Sequence, residues 1–232
     1  MRLLVLSLVA LATGASAEGP RDDFERGLCV SPCRGAAWAI TQEQNGRVQV
    51  ARAPERRGLA LLAEAGPKQR GAVSKADLVA RTRFLPAGTV LTIAFDLNIP
   101  AGAPLDSLQL VDVECASCGE GGNPGVRLYL RRGRLRIDRS KIAIRHAWAR
   151  DDATQLVAGR WHHIVWQLRL GGEEAGAARV LLDGREVLRA SGATVAPLAR
   201  RGADRVQIGI TANSNAVPAH AWFDDVSVTI GR

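Results

Sequence analysis

Hydrophobic and polar residues alternate along most of the chain, as they do in β-strands with one buried face and one face in solvent. The alternation is clearest at RVQVAR (47–52), VLTIAFDL (90–97), VRLYLR (126–131), RVQIGIT (205–211) and WFDDVSVTI (222–230). Turn-forming residues separate these segments, and helical periodicity is hardly visible. About a dozen such strands predict an all-β fold, a two-sheet antiparallel sandwich of the jelly-roll type.

One hairpin is predicted in detail, in the segment ARVLLDGREVLRA (178–190). Its two alternating arms are joined by Asp183-Gly184, and this dipeptide supplies the positive φ angles that a type I′ turn needs. The arms should therefore pair directly. Since the chain shows no internal repeat and no low-complexity linker, residues 18–232 are expected to form one domain.

The segment GRWHHIVWQLRL (159–170) contains two tryptophans and two adjacent histidines. Alternation puts His162 on the same face as Ile164 and Trp166, and His163 on the opposite face. A histidine among apolar side chains is more often a hydrogen-bonded structural residue than a ligand or a base. No serine, cysteine or carboxylate near it in the sequence forms a nucleophile-and-base arrangement. We therefore interpret this strand as structural.

The first seventeen residues have the features of an export signal. Arg2 is followed by an apolar run (3–12) and by Ala15-Ser16-Ala17, a small-residue cleavage site, so residues 1–17 are predicted to be a signal peptide. The apolar run is about half of the ~20 residues that span a bilayer, and no later segment is long and apolar enough. The mature protein is expected to have no membrane span and to be periplasmic or secreted.

Four cysteines stand in two close pairs along the sequence, Cys29 with Cys33 and Cys115 with Cys118. In an oxidising compartment they should form disulfides, but four cysteines allow three connectivities and the sequence does not select one. A four-thiolate zinc site is the alternative interpretation. Export and the long separation between the two pairs favour disulfides.

The chain is basic, with 31 lysines and arginines against 23 aspartates and glutamates and a formal net charge of +8. A basic exported protein suits acidic polysaccharide, an anionic envelope surface or nucleic acid as a partner. Generic solubility is the alternative, because the arginines are spread along the whole chain. We expect a polysaccharide partner, and we expect neither nucleic acid binding nor a bound metal at the ligand site.

Two acidic pairs, Asp22-Asp23 and Asp224-Asp225, stand at the edges of predicted strands near the two ends of the chain. In jelly rolls the first and last strands commonly pair, which would bring these carboxylates together as oxygen ligands for a structural calcium ion. The alternative is that they are surface acids that cap turns. The lack of a spaced loop of oxygen ligands favours that alternative.

Polar residues opposite the predicted core form three strand faces. The candidate glycan-binding residues on them are Lys75, Arg81 and Arg83 on the first, Arg127 and Tyr129 on the second, and Arg205 and Gln207 on the third. If these strands are neighbours in one sheet, they build a basic groove. Arginine forks bind carboxylates and sulfates through paired hydrogen bonds, and a tyrosine ring can stack on a sugar. A solvated sheet face is the alternative.

The GRWHHIVWQL strand and the RVLLDGREV hairpin resemble the G-x-W-H-x-[IV] strand and the L-x-[DN]-G hairpin of laminin-G-like and pentraxin-like domains. With DDFERG near the start and FDDVSVTI at the end, the chain is similar to concanavalin A-like lectin/glucanase jelly rolls. This resemblance implies a structural role for the tryptophan-histidine strand. It does not assign an activity, since the fold hosts lectins, glycosidases and polysaccharide lyases.

Among enzymes of this fold, the heparin lyase I-like and alginate lyase group is the most similar in layout. Its R-x-E-L, Q-x-H and Y-F-K-x-G-x-Y strands correspond to KADL (75–78), DVE (112–114) and RVQIGIT (205–211). The group's two tyrosines, its lysine and its histidine are replaced here by Arg205 and Thr211, Gln207, and Glu114. The closely spaced carboxylates of the family glucanases are absent from the sequence.

The sequence therefore favours an exported carbohydrate-binding protein that recognises acidic polysaccharide, has no catalytic residues and is inactive as a lyase. The alternative is a polysaccharide lyase that acts by β-elimination, with Lys75 or Arg81 neutralising the uronate carboxylate and Tyr129 and His146 carrying protons. A third hypothesis is an envelope protein without a glycan ligand. That protein would have an apolar concave face.

Overall fold

The computed structural model describes residues 17–119 and 122–231. The predicted signal peptide therefore lies outside the described residues, except for Ala17, which begins the first strand. The described residues form the strands β1 (Ala17–Asp22), β2 (Ile40–Gln44), β3 (Gly46–Arg52), β4 (Leu59–Ala65), β5 (Ser74–Pro86), β6 (Val90–Asn98), β7 (Leu108–Glu114), β8 (Gly125–Arg131), β9 (Arg134–Asp138), β10 (Trp161–Arg169), β11 (Ala177–Leu182), β12 (Arg185–Ser191), β13 (Gly202–Asn213) and β14 (Ala219–Gly231). A short 3₁₀ helix, Ser140–Ile142, follows β9.

These strands pair antiparallel in two sheets. The eight-stranded sheet has the order β12-β11-β10-β6-β14-β4-β3, with β1 also paired to β14, and the six-stranded sheet has the order β2-β5-β13-β7-β8-β9. Neighbours in sequence such as β13 and β14 lie in different sheets, so the chain crosses repeatedly between the two layers. The predicted all-β jelly-roll sandwich is confirmed.

The core lies between the sheets and follows from the alternation. Phe95, Trp166 and Phe223 from the eight-stranded sheet are fully buried, as are Leu78 and Ile208 from the six-stranded sheet. Each such side chain contributes roughly 1.5–3 kcal/mol when it leaves water. Because the inner faces are filled with apolar groups, most polar residues of the strands are directed to the outer faces; His162 of β10 is an exception.

The predicted hairpin turn is present between β11 and β12. Asp183 and Gly184 have φ angles of 51° and 77°, which are the left-handed values of a type I′ turn. The Asp183 carboxylate also accepts a hydrogen bond from the backbone N–H of His163, at 2.9 Å. The turn is thereby tied to β10, its neighbour in the sheet.

The two histidines of β10 have different surroundings. His162 is buried, and its Nε2 accepts the backbone N–H of Val157 at 2.9 Å while its Nδ1 lies 2.8 Å from the Asp183 carboxylate. Since Nε2 must accept from an N–H, the proton of the neutral ring lies on Nδ1 and is donated to Asp183. His163 is half exposed and lies 2.7 Å from Asp96. The structural interpretation of His162 agrees with these contacts.

Both disulfides join cysteines that are close in sequence. Cys29 is bonded to Cys33 in the loop between β1 and β2, and Cys115 is bonded to Cys118 immediately after β7. This selects one of the three connectivities that the sequence allowed. The second disulfide loop is also tied to β13, because the Asp204 carboxylate accepts backbone N–H groups at 2.7 and 3.1 Å from it.

The acidic pairs near the ends of the chain have partners other than a metal. Asp22 accepts a hydrogen bond from the Trp38 ring at 2.7 Å, and Asp224 forms an ion pair with Arg56. Among the described residues, no three or more His, Cys, Asp or Glu side chains converge as a metal site requires. A calcium ion near Asp22, Asp23, Asp224 and Asp225 stays the less favoured of the two hypotheses from the sequence. Within the same residues, no helix is both long and apolar enough to cross a bilayer.

We predict that His162→Ala lowers the free energy of unfolding by about 1–3 kcal/mol, because the change leaves the Val157 N–H without its acceptor and Asp183 without its ring donor. Urea titration followed by tryptophan fluorescence measures this loss. His163→Ala is the matched control and should cost less than about 1 kcal/mol, since its ion pair is exposed. Equal costs for the two variants would contradict the structural role of His162.

Candidate functional site

A groove lies on the outer face of the six-stranded sheet and encloses a cavity of about 410 Å³. Its walls come from β2, β5, β13, β7 and β8, from the 3₁₀ helix, and from the loops beside them. The polar residues that line this groove are Gln42, Gln44, Lys68, Lys75, Gln109, Asp112, Glu114, Asn123, Arg127, Lys141, Arg205, Gln207, Thr211, Asn213 and Ser214. The lining is therefore mainly polar, and its cations exceed its acids.

Strand β13 passes under the middle of the groove. Arg205, Gln207 and Thr211 line the groove, while Val206, Ile208 and Ile210 pack into the core. Gly209 occupies the groove-side position between Gln207 and Thr211; its φ is +136°, and an added Cβ would lie 2.7 Å from the Asp77 Cα. Only glycine fits here, and its missing side chain leaves the space that Asp77 of β5 fills.

Asp77 is a carboxyl group sealed beneath the groove. It is fully buried, and neither of its oxygens has a hydrogen-bond partner within the described part of the chain. The nearest cation, the Lys75 Nζ, is 3.9 Å away. Burial raises the pKa of Asp77 to about 8, and Lys75 offsets only part of that effect. Asp77 is therefore mostly protonated and neutral at neutral pH.

Asp112 of β7 lies on the other side of β13 and reaches the groove itself. The Thr211 hydroxyl donates to its Oδ1 at 2.7 Å, and the Lys141 Nζ lies 3.7 Å from its Oδ2. Burial and then the neighbouring Glu114 raise the pKa of Asp112 to about 7, against the opposing effects of Lys141 and Thr211. This carboxyl group exchanges its proton near neutral pH.

Glu114 has the strongest set of partners among the groove acids. Lys141 forms an ion pair with its Oε1, and the Asn123 amide donates to its Oε2 at 3.2 Å. The Arg205 Nε lies 3.8 Å from the same Oε2. Within the described residues Arg205 makes no side-chain hydrogen bond, and its Nε is buried without a partner. Arg205 thus has unused donors at the groove.

Arg127 is held in place by its own acid. Its Nε donates to Asp138 at 2.8 Å, and its other nitrogens donate to Gln109 at 3.1 Å and to Ser140 at 2.8 Å. Lys75 is held by Gln42, whose amide oxygen lies 2.5 Å from the lysine Nζ. These contacts fix the direction of both cations and use part of their donor capacity.

The three strands β5, β8 and β13 all belong to the six-stranded sheet, where β5 and β13 are direct neighbours and β7 separates β13 from β8. Four of the seven candidate residues line the groove: Lys75, Arg127, Arg205 and Gln207. Arg81 and Arg83 instead line a separate cavity beside β1. Tyr129 lines a second cavity next to the groove. The glycan-binding roles of these seven residues stay predictions.

The second cavity also contains His146, together with Arg131, Arg136 and Arg145. Gln109 lines both this cavity and the groove, so the two lie side by side on the sheet. No hydrogen bond joins Tyr129 to His146 in the part of the chain that the structure describes. The two side chains therefore share a cavity but are not hydrogen-bonded to each other.

Sequence reasoning gave no role to two groups that the structure places at the centre of the groove. In the sequence, Asp112 stood out only because it replaces the glutamine of the Q-x-H motif in the DVE segment. Its alternation with Val111 and Val113 nevertheless directs it away from the core. Lys141 had no signal at all, because it stands in a short 3₁₀ helix outside the strand pattern. Their juxtaposition depends on the pairing of β7 and on the chain path after β9.

Comparison with known proteins identifies the family. The family profile described as polysaccharide lyase matches residues 34–227. No curated protein is detectably similar in sequence to this chain. An endo-β-1,4-glucuronan lyase from the fungus Trichoderma reesei has a similar structure, with a TM-score of 0.65 and 18% identity over 84% of this chain and 91% of that chain.

Two further solved structures share the fold. A cellulose induced protein has a TM-score of 0.60 and 17% identity, over 90% of this chain and 95% of its own. An alginate lyase of polysaccharide lyase family 7 has a TM-score of 0.56 and 14% identity, over 95% of each chain. Identities this low show a common fold, whereas the family profile covers most of the sequence. The chain belongs to the polysaccharide lyase family and is a carbohydrate-acting protein.

Proposed function

We propose that this protein binds an acidic polysaccharide in the groove of the six-stranded sheet. The observation that carries the proposal is the charge of the lining. Among the residues that the structure describes, the groove is lined by five cations, Lys68, Lys75, Arg127, Lys141 and Arg205, and by two carboxyl groups, Asp112 and Glu114. Since burial keeps part of the Asp112 population protonated, the groove presents a positive field to a carboxylate or sulfate.

The shape of the site supports a chain rather than a single sugar. The groove and the second cavity adjoin at Gln109, and the second cavity adds Arg131, Arg136 and Arg145. A polymer with a negative charge on each unit would meet cations in both. The solved structures of similar fold include enzymes named for glucuronan and for alginate, which are uronate polymers.

The two disulfides support an exported protein, because cytosolic thiols are kept reduced. We place the protein in the periplasm or in the medium, where acidic polysaccharides are accessible. Binding of nucleic acid is not part of this proposal.

We predict that the mature protein is retained on immobilised alginate or heparin at low ionic strength and is eluted by moderate salt, which screens the charge contacts. Lys68→Ala and Arg205→Ala should each weaken binding by about 1 kcal/mol, or roughly fivefold in Kd. Arg47→Ala is the matched control, since it removes one exposed cation from the other sheet. Wild-type protein that flows through both resins would rule out the proposal.

Arg127 is a poorer position for this test. Its replacement would leave the Asp138 carboxylate without its main partner, so lost retention would be mixed with lost stability. Arg205 lacks such a hydrogen-bonded acid, and Glu114 keeps Lys141 when Arg205 is removed.

A pH dependence of binding follows from the groove acids. As the pH rises from about 6 to about 9, Asp112 and then Asp77 lose their protons and add negative charge beneath the ligand, so retention should fall. Asp77→Asn should remove the part of the fall centred near pH 8. Because Asp77 is sealed from the groove, this variant tests charge without removing a ligand contact. Retention that is constant over this range would contradict the account.

Family membership and the second cavity favour a further function, cleavage of the bound chain by β-elimination. This reaction needs a cation beside the uronate carboxylate and a group that moves the proton. Arg205 has free donors at the groove, and Tyr129 and His146 line the adjoining cavity. This function differs from the inactivity expected from the replaced tyrosines and histidine of the lyase motifs.

We expect purified mature protein to form unsaturated products from glucuronan or alginate, detected by the ultraviolet absorbance of the new double bond. The reaction is run with and without calcium, and with heparin as a third substrate. Retention on the resins without any product would leave binding as the function and exclude cleavage of these three polymers.

A further inference from the structure

We propose that Asp112 is the catalytic residue that transfers the proton in a β-elimination at the groove. This inference rests on the proposed function, because it requires an acidic polysaccharide bound over β7 and β13. It departs from the lyase motifs to which the sequence is similar, since none of them uses a carboxyl group at this position.

The two oxygens of Asp112 are in different situations. Thr211 donates to Oδ1 at 2.7 Å and fixes the plane of the carboxyl group. Within the described residues Oδ2 accepts no hydrogen bond, and its nearest cation is the Lys141 Nζ at 3.7 Å. The residue also lines the groove. The side chain is 5% exposed, at the groove. One oxygen is thus anchored and the other has no hydrogen-bond donor among the described residues, so it is the oxygen left to act as a positioned base.

The protonation of Asp112 suits this role. Burial raises its pKa to about 7, so both forms are populated near neutral pH. A base with a pKa near the working pH takes up a proton and releases it again with little loss in either direction. The raised pKa adds to the geometric argument and does not replace it.

The other carboxyl groups are less suited to the task. Glu114 has an ion pair with Lys141 and a hydrogen bond from Asn123, so its oxygens are already engaged. Asp77 is sealed from the groove. Tyr129 and His146 line the second cavity, whereas Arg205, a cation with unused donors, lines the groove with Asp112. A proton carrier must act on the same sugar whose carboxylate the cation neutralises.

The reaction is balanced without a further reactant. Arg205 hydrogen-bonds the uronate carboxylate and stabilises the charge that develops when C5 loses its proton. The Asp112 carboxylate takes that proton, and the C5–H electron pair forms the C4=C5 double bond. The bond from C4 to the glycosidic oxygen breaks, and the departing oxygen receives the proton from Asp112. The carboxylate is then restored.

This sequence of steps limits the substrate. One residue can serve both transfers when the C5 hydrogen and the C4 oxygen lie on the same side of the sugar ring. Glucuronate and mannuronate have this configuration, and their C5 epimers iduronate and guluronate do not. The substrate class is therefore a 4-linked glucuronate or mannuronate polymer.

The test compares wild-type protein with Asp112→Asn and with Asp152→Asn, an exposed acid-to-amide control whose ion-pair partner among the described residues is Arg150. Asparagine keeps the acceptor for Thr211 and the volume of the side chain, so Asp112→Asn should fold and stay on the alginate resin. Its turnover of glucuronan and polymannuronate should fall at least about 100-fold. Asp152→Asn should keep wild-type turnover, and polyguluronate should be cleaved far more slowly than polymannuronate by the wild type.

The outcomes separate the two proposals. Wild-type protein that is retained on the resin but forms no product overturns the role of Asp112 and leaves polysaccharide binding intact. Wild-type protein that is neither retained nor active overturns both. Equal turnover by Asp112→Asn and the wild type, or loss of turnover in Tyr129→Phe alone, shows that another group carries the proton. Urea titration shows whether Asp112→Asn is folded. If it is not, Thr211→Val is the second variant, because it keeps the Asp112 carboxyl group and removes the hydroxyl that anchors it. Thr211→Val should lower kcat more than it changes KM.

Discussion

Strand β13 has the core of the protein on one face and the floor of the groove on the other, and the site depends on this division. Val206, Ile208 and Ile210 are buried between the sheets, which fixes the register of the strand. A shift by one residue would exchange the two faces and bury Arg205 in the core. The apolar packing of the sandwich is therefore also what holds the polar residues of the groove in place.

Three neighbouring carboxyl groups, Asp112 and Glu114 at the groove and Asp77 sealed beneath it, differ in their local partners. Glu114 has Lys141, Asn123 and a nearby Arg205. Asp112 has a hydroxyl donor and a more distant ammonium group, and its pKa rises to about 7. Asp77 has no hydrogen-bond partner among the described residues, and its pKa rises to about 8. Because an unpaired buried charge is costly, the acid with the fewest partners keeps its proton most firmly.

Membership of the polysaccharide lyase family does not by itself assign the chemistry of the groove. Glu114, Arg205 and Thr211 stand where the resemblance of the sequence to lyase motifs implied histidine and tyrosine. These substitutions act together, since Thr211 anchors Asp112 and Arg205 lies beside Glu114. The groove contains a connected set of carboxyl groups and cations, and such a set is consistent with recognition of an acidic polymer and with proton transfer by a carboxyl group.

The sequence by itself determined the fold class, the hairpin at Asp183-Gly184 and the core-facing position of His162, because alternation and turn chemistry act between residues that are close in the chain. It also showed which residues face away from the core. It did not determine which of these faces meet, since Arg81, Arg83 and Tyr129 lie outside the groove that Lys75 and Arg205 line. Only the tertiary structure decided that Lys141 approaches Asp112 and that Asp77 is sealed below Gly209. Burial and charge pairing between distant segments raise the pKa values of Asp77 and Asp112, and neither effect can be derived from local sequence.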